Sequence, residues 1–431
     1  MHITTHLDID LVALDQADEV TCLLELTAPP TAGVSQRPGR TLMLVLDRSG
    51  SMAGEPLDAA KDAIARLVRQ LAPHDCFGLV AFDDQAQVVI PPMLMADHAL
   101  QALQQAVAAI EPGGMTDLSA GYLLALRETR RAIAASGHAA ATLLIVSDGH
   151  ANGGITDPDR LGQVAAKALA DGIVTSTLGL GLGYDEVLLD TMTRAGNGTH
   201  RFAPDIDTAV AELQQTVTDL LQVSALAATI RITPAGNAID GIRIRQQLPA
   251  WREPGAVVLN VGDLYAGEVR KLLIAFDVPA VSDLGTCTIA EISIDFTSVV
   301  DLVEHHVLLP VTVNVVPGDQ ARDRVRNPVV EVERLIADAD EAKKAAVQAL
   351  RADEGEVAGE ALGSALSQLQ DMRSQLLACG DASLLERLDE SSEDLSDLRA
   401  CLDTQATTSS LKMMTDSLAA TSRGRKTRKK G

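Results

Sequence analysis

The sequence predicts an α/β domain with a mostly parallel sheet, joined to an antiparallel β-sandwich and a C-terminal helical region. Three observations predict it. From Arg40 to about Leu221, near-continuous apolar strands alternate with amphipathic helices; near Ser224 the pattern changes to alternating, β-branched runs; beyond Val316 it changes again to long, alanine-rich, helix-compatible segments. At 431 residues the chain exceeds one ordinary core, so two or three domains are expected.

The α/β portion reads in order. "TLMLVLD" precedes "EPLDAAKDAIARLVRQLA", whose Leu57, Ala60, Ile64, Leu67, Val68 and Leu71 recur at helical spacing. Then come strand "CFGLVAFD", a short strand "AQVVI" after a turn at Asp83 and Asp84, and helices "DHALQALQQAVAAI" and "LSAGYLLALRETRRAI". Strand "ATLLIVSD", helix "PDRLGQVAAKALADG", strand "IVTSTLGL", helix "EVLLDTMTRA" and a final helix near residues 205–221 complete the series. Strands without polar alternation imply a sheet covered on both faces.

"LAATIRITPAG", "AVVLNVGDLYAGEVRKLLIAFDVP", "CTIAEISIDFTSV" and "EHHVLLPVTVNVV" supply the sandwich strands. The opening "EVTCLLELTAP" has the same character, and "PPTAGVSQRPG" separates it from Arg40. The expected division is therefore a strand segment at 1–35 belonging to the sandwich, the α/β domain at 38–223 inserted into it, the sandwich proper at 224–316, a helical hairpin or bundle at 320–420 and a basic tail at 421–431. Leu376, Leu377, Leu384, Leu385 and Leu388 read as helical core.

Composition narrows the function. A net charge of -23 and a scarcity of aromatics (five Phe, three Tyr, one Trp) oppose nucleic-acid binding. The five cysteines are dispersed, with neither disulfide nor zinc spacing, which fits a reducing compartment. No signal-like start and no long apolar run are visible, so the expectation is a cytoplasmic protein without membrane insertion. The sequon at Asn197 is then read as a polar turn.

Three oxygen-rich segments fall at predicted strand exits, where parallel α/β folds gather their binding groups. They contain Asp47, Ser49 and Ser51; Thr116 in "GGMTDLSAG"; and Asp148 in "LLIVSDGHANGG". Small oxygen donors suit a hard divalent ion, Mg²⁺ or Mn²⁺, better than a thiol- or imidazole-seeking metal. Here the chain resembles the von Willebrand factor A family and its metal-ion-dependent adhesion site, whose pattern is Asp-x-Ser-x-Ser followed by a separate Thr and a separate Asp. The resemblance covers roughly residues 38–223 and implies a Rossmann-like domain. It implies that Ser49 and Ser51 ligate directly, Asp47 and Asp148 directly or through water, and Thr116 according to conformational state. An open position would accept an Asp or Glu from a partner protein.

Neighbouring residues have simpler readings. Asp117 suits helix capping, Asp83 and Asp84 a solvent-facing turn, and His150 a surface role. "GLGLGYDE" lacks the lysine of a phosphate loop, so Gly179, Gly181 and Gly183 are read as turn residues. The leading expectation is a cation-dependent protein-interaction module that is not an enzyme, with a homo-oligomer through the helical region as a further option. The alternatives are an adaptor subunit of an ATPase or metal-insertion assembly, and a Mg²⁺-dependent phosphohydrolase using Asp47 as nucleophile.

Overall fold

The structure is a computed structural model, and it describes residues 1–30, 39–138, 140–181, 183–203, 208, 211–212, 215, 223–299, 303–377, 381–404 and 407–421. The linker "TAGVSQRP", most of the expected helix at 205–221, Cys379 and all but the first residue of the basic tail lie outside these residues. The chain forms two compact units, Met1–Thr31 with Ser224–Gly431, and Ala32–Val223.

The first unit opens with β1 (His2–Leu7), β2 (Leu11–Ala13) and β3 (Asp18–Thr27). The second unit contains β4 (Thr41–Asp47), α1 (Glu55–Leu67), β5 (Cys76–Phe82), β6 (Ala86–Leu94), α2 (Leu100–Ala108), α3 (Leu118–Ser136), β7 (Ala141–Ser147), α4 (Pro158–Ala170), β8 (Ile173–Leu180), α5 (Glu186–Ala195) and β9 (Asn197–Ala203). Its sheet has the order β6-β5-β4-β7-β8-β9. Every pairing is parallel except that of edge strand β6 with β5. Strands β4, β5 and β7 are buried at every residue. Because successive side chains point to opposite faces, such strands need cover on both sides, which is why they read as unbroken apolar runs.

Two local readings change. The strand after Asp84 continues through Pro91 and Pro92 to Leu94, tolerable because an edge strand leaves backbone positions unpaired. The sequon at Asn197 begins strand β9 instead of forming a turn, and Asn197 is buried.

The first unit resumes with β10 (Val223–Pro234), β11 (Gly241–Ile244), β12 (Ala250–Glu253), β13 (Ala256–Tyr265), β14 (Val269–Val278), β15 (Gly285–Ser298) and β16 (Glu304–Val316). One sheet runs β1-β3-β14-β11 and the other β12-β13-β10-β15-β16-β2. Thus β3 pairs antiparallel with β14, Thr27 opposite Val269. Alternate residues Cys22, Leu24 and Leu26 join Leu272, Ile274 and Phe276 in one core with Ile230, Ile292 and Val313 of the other sheet. The intervening Leu23 and Leu273 pack on Val330 of α6 (Pro328–Arg351), so this sheet too is covered twice.

Helix α6 is followed by α7 (Gly355–Leu377), α8 (Ala382–Thr404) and α9 (Thr407–Thr421). Ile336, Val347, Leu362, Leu369, Leu388, Leu395 and Met414 share their core. Leu377 departs from expectation: at the last turn of α7 it is 56% exposed, while Leu376, Leu384 and Leu388 are buried. Buried Lys343 on α6 meets Asp394 of α8 at 2.6 Å and Asp340 at 3.2 Å. Glu333 on α6, also buried, is 2.9 Å from Lys271 of β14 and 3.1 Å from Arg387 of α8, which ties sheet and helices together.

Candidate metal centre

Three loops leave the sheet at the ends of β4, β5 and β7 and are stitched together by main-chain hydrogen bonds. The Arg48 N–H donates to Phe82 O (2.8 Å), Gly113 N–H to Arg48 O (2.6 Å), Gly50 N–H to Gly114 O (2.9 Å) and Asp117 N–H to Asp83 O (2.7 Å). The segment carrying Thr116 is thereby suspended between the β4 and β5 loops. On its other side the β7 loop closes the ring. Thr116 N–H donates to Asn152 Oδ1 (2.8 Å), and Thr116 O accepts from the N–H groups of Asn152 (3.0 Å) and Gly153 (3.2 Å).

The five oxygen-bearing side chains singled out from the sequence come together on this framework. Asp47, the last residue of β4, is fully buried; its Oδ1 accepts from Ser49 N–H (2.8 Å) and its Oδ2 from the Ser147 hydroxyl (2.6 Å). The Ser49 and Ser51 hydroxyls lie 3.1 Å apart, and Ser51 donates to Asp148 Oδ1 at 2.8 Å. Gly149 locates the fifth: a Cβ there would stand 3.2 Å from Ser51 Oγ and 3.6 Å from Thr116 Oγ1. Asp47, Ser49 and Thr116 are buried, whereas Ser51 is exposed and Asp148 half-buried, so the cluster runs from the sheet edge to the surface.

The electrostatics are those of acids short of positive charge. Burial pushes the Asp47 carboxyl above its ordinary range despite the hydrogen bonds from Ser147 and Ser49. Burial likewise raises Asp148; the Ser51 hydroxyl works against that rise and the charge of Asp47 adds to it. The adjoining Arg48 is committed elsewhere, to Asp83 at 3.0 Å. Two buried or half-buried carboxylates with three neutral hydroxyls are a donor set that fits a hard divalent cation, which would offset the charge and accept hydroxyl oxygens. Among the described residues no group of three or more His, Cys, Asp or Glu is arranged for a metal, so the hydroxyls are what distinguishes this cluster.

The surrounding residues divide. Asp117 caps α3, accepting from Ala120 N–H (2.9 Å) and the Ser119 hydroxyl (2.6 Å). Exposed His150 lies 3.6 Å from Asp185, the N-cap of α5. Gly179 leaves room for the Tyr184 ring, and Gly181 adopts φ +64°. Asp83 corrects the sequence reading: only Asp84 faces solvent, while Asp83 is buried. Its carboxylate occupies space that a Cβ on Gly113 would fill, and it raises the carboxyl of Asp47 by its charge. Sequence reasoning also passed over Ser147 and Asn152. Ser147 did carry a signal, a hydroxyl closing an otherwise apolar strand directly before Asp148.

A sequence profile of the von Willebrand factor type A domain matches residues 42–150, which contain all five oxygen-bearing residues. The chain is similar to the protein YfbK of Escherichia coli (strain K12), 24% identical over 235 residues that cover 54% of this chain and 37% of that protein. It is also similar to the protein sll0103 of Synechocystis, 25% identical over 241 residues covering 54% of this chain and 56% of that one. The chain therefore spans between about a third and somewhat over half of these curated relatives. Among solved structures, the von Willebrand factor type A protein of Catenulispora acidiphila superposes with a TM-score of 0.74 at 15% identity, covering 99% of this chain and 97% of that one, which extends the shared fold to the sandwich and helices. The profile match thus places a von Willebrand factor type A domain at residues 42–150, and the whole chain shares its fold with the Catenulispora protein.

Proposed function

We propose that Asp47, Ser49, Ser51, Thr116 and Asp148 hold Mg²⁺ or Mn²⁺ and that the protein binds an Asp or Glu side chain of a partner protein through that ion. The observation that carries this reading is the hydrogen-bonded chain Ser49–Ser51–Asp148, which links oxygens from two loops 97 positions apart and ends at the surface. When bound, the cation supplies a positive centre that attracts a further carboxylate. The protein's own residues fix the donors in place: Ser147 and the Ser49 amide aim Asp47, and Asn152 and Gly153 hold the Thr116 loop.

Binding is favoured over phosphoryl transfer by the state of Asp47. Both of its oxygens already accept hydrogen bonds and its side chain is fully buried, which leaves a poor nucleophile for attack on phosphorus. Among the described residues no helix is long and apolar enough to cross a membrane; a cytoplasmic setting belongs to the same proposal.

Calorimetric titration with Mn²⁺, combined with pull-down from host lysate in Mg²⁺ or in chelator, tests the reading. Wild-type protein should bind one equivalent of Mn²⁺ and capture its partner only with metal present. Ser49→Ala and Asp148→Ala, folded by circular dichroism, should lose both properties. Partners retained equally in chelator and by both variants would overturn the metal-bridged reading.

A further inference from the structure

Thr116 is the one member of the cluster that belongs to neither of the two loops linked by side-chain hydrogen bonds, those of β4 and β7. Its placement depends on its main chain. Toward β4 and β5, the flanking residues are tied by peptide groups: Gly113 to Arg48, Gly114 to Gly50 and Asp117 to Asp83. Substituting a side chain leaves those partners in place. Toward β7, the seam has a different construction. The Thr116 carbonyl accepts from two peptide N–H groups, but its own N–H is taken by a side chain, Asn152 Oδ1, at 2.8 Å.

The seam is close-fitting on either side of that bond. Gly154 adopts φ +65°, and a Cβ there would collide with Asp117 and Ser119; the Ile155 N–H donates to the Ser119 hydroxyl at 2.9 Å. One short side chain thus joins the loop of Asp148 to the peptide preceding the Thr116 side chain. Buried N–H groups are rarely left without an acceptor, and Thr116 is buried.

We propose that Asn152 is a positioning residue for the cation: by accepting from Thr116 N–H it sets the Thr116 hydroxyl against the Asp148 loop and thereby raises cation affinity. This rests on the metal reading of the site above. Aspartate at position 152 would keep an acceptor oxygen at nearly the same reach, whereas alanine would leave Thr116 N–H without one.

The test uses the full-length chain and two readouts: Mn²⁺ binding followed by electron paramagnetic resonance, and hydrogen–deuterium exchange of the Thr116 amide in chelator. Asn152→Ala should weaken Mn²⁺ binding about tenfold, as outer-shell changes do, and should lose protection at Thr116 without metal. Asn152→Asp should restore that protection and bring Mn²⁺ affinity back to within a few-fold of wild type. Unchanged Mn²⁺ affinity in Asn152→Ala overturns the role of Asn152, whether or not protection is lost. Wild-type protein that binds no Mn²⁺ overturns the site reading itself, a result distinct from the first.

Discussion

Two buried acidic sites in this molecule are built in opposite ways. Glu333, in the unit of sandwich and helices, is buried, and burial alone would raise its carboxyl; the charges of Arg387 and Lys271 outweigh that and hold it below the ordinary range. Asp47 and Asp148 are raised by burial, with hydroxyls and amides as their close partners. The first site is neutralised from within the chain and holds two layers together. The second gathers acid with no cationic side chain among its described close partners, and under the proposed metal reading a bound cation would supply the missing charge. Burial of charge is thus common to both sites, and the counter-charge tells them apart.

Substitution at Asp47 should separate the two sites most strongly. Asp47→Asn should reduce Mn²⁺ affinity by more than the roughly 10–100-fold typical of outer-shell changes, measured by calorimetry. In chelator the same variant should unfold at an unchanged or higher midpoint, since it removes a carboxylate that burial disfavours. Glu333→Gln should do the reverse: no effect on Mn²⁺ affinity, and a lower urea midpoint for its unit corresponding to ~3 kcal/mol, the scale of breaking a buried ion pair.

Acid should separate the sites further. A carboxyl with a lowered folded pKa adds stability above its unfolded value, roughly 4.3 for glutamate, and that contribution is lost as pH falls through the lower folded value. Urea titrations should therefore show the wild-type advantage over Glu333→Gln at neutral pH shrinking only below about pH 4.3. The smallest effect is expected from Asp117→Ala, which removes the α3 N-cap: about 1 kcal/mol of stability by urea titration. Metal affinity equal to wild type in that variant would assign Asp117 to the helix alone.

The α/β unit was legible wherever burial is complete. Strands β4, β5 and β7 have no solvent face, so their apolar runs could be read without knowing their partners. The hydroxyls and acids after β4 and β7 stood out because such residues have no packing role at the end of a buried strand. Asp83 was not legible. Beside Asp84 it looks like half of a polar turn, and its burial depends on Arg48 from another loop and on the absence of a Cβ at Gly113. Asn152 was hidden for a similar reason: within "GHANGG" it has the composition of a loop, and its partner lies 36 positions earlier. The exposure of Leu377 was invisible because the apolar pattern says nothing about where α7 ends.

The pairing of β3 with β14 also bears on how the chain is made. Thr27 and Val269 sit opposite one another, with the whole α/β unit between them in sequence. At a synthesis rate of roughly 5–20 residues per second, β3 would wait on the order of ten to fifty seconds for that neighbour to emerge. During the interval its only partner within its own sheet is the short β1, while the parallel sheet can close from contiguous sequence. The inserted unit is thus positioned to fold before the sandwich, whose β3–β14 pairing must wait until the chain has passed through it.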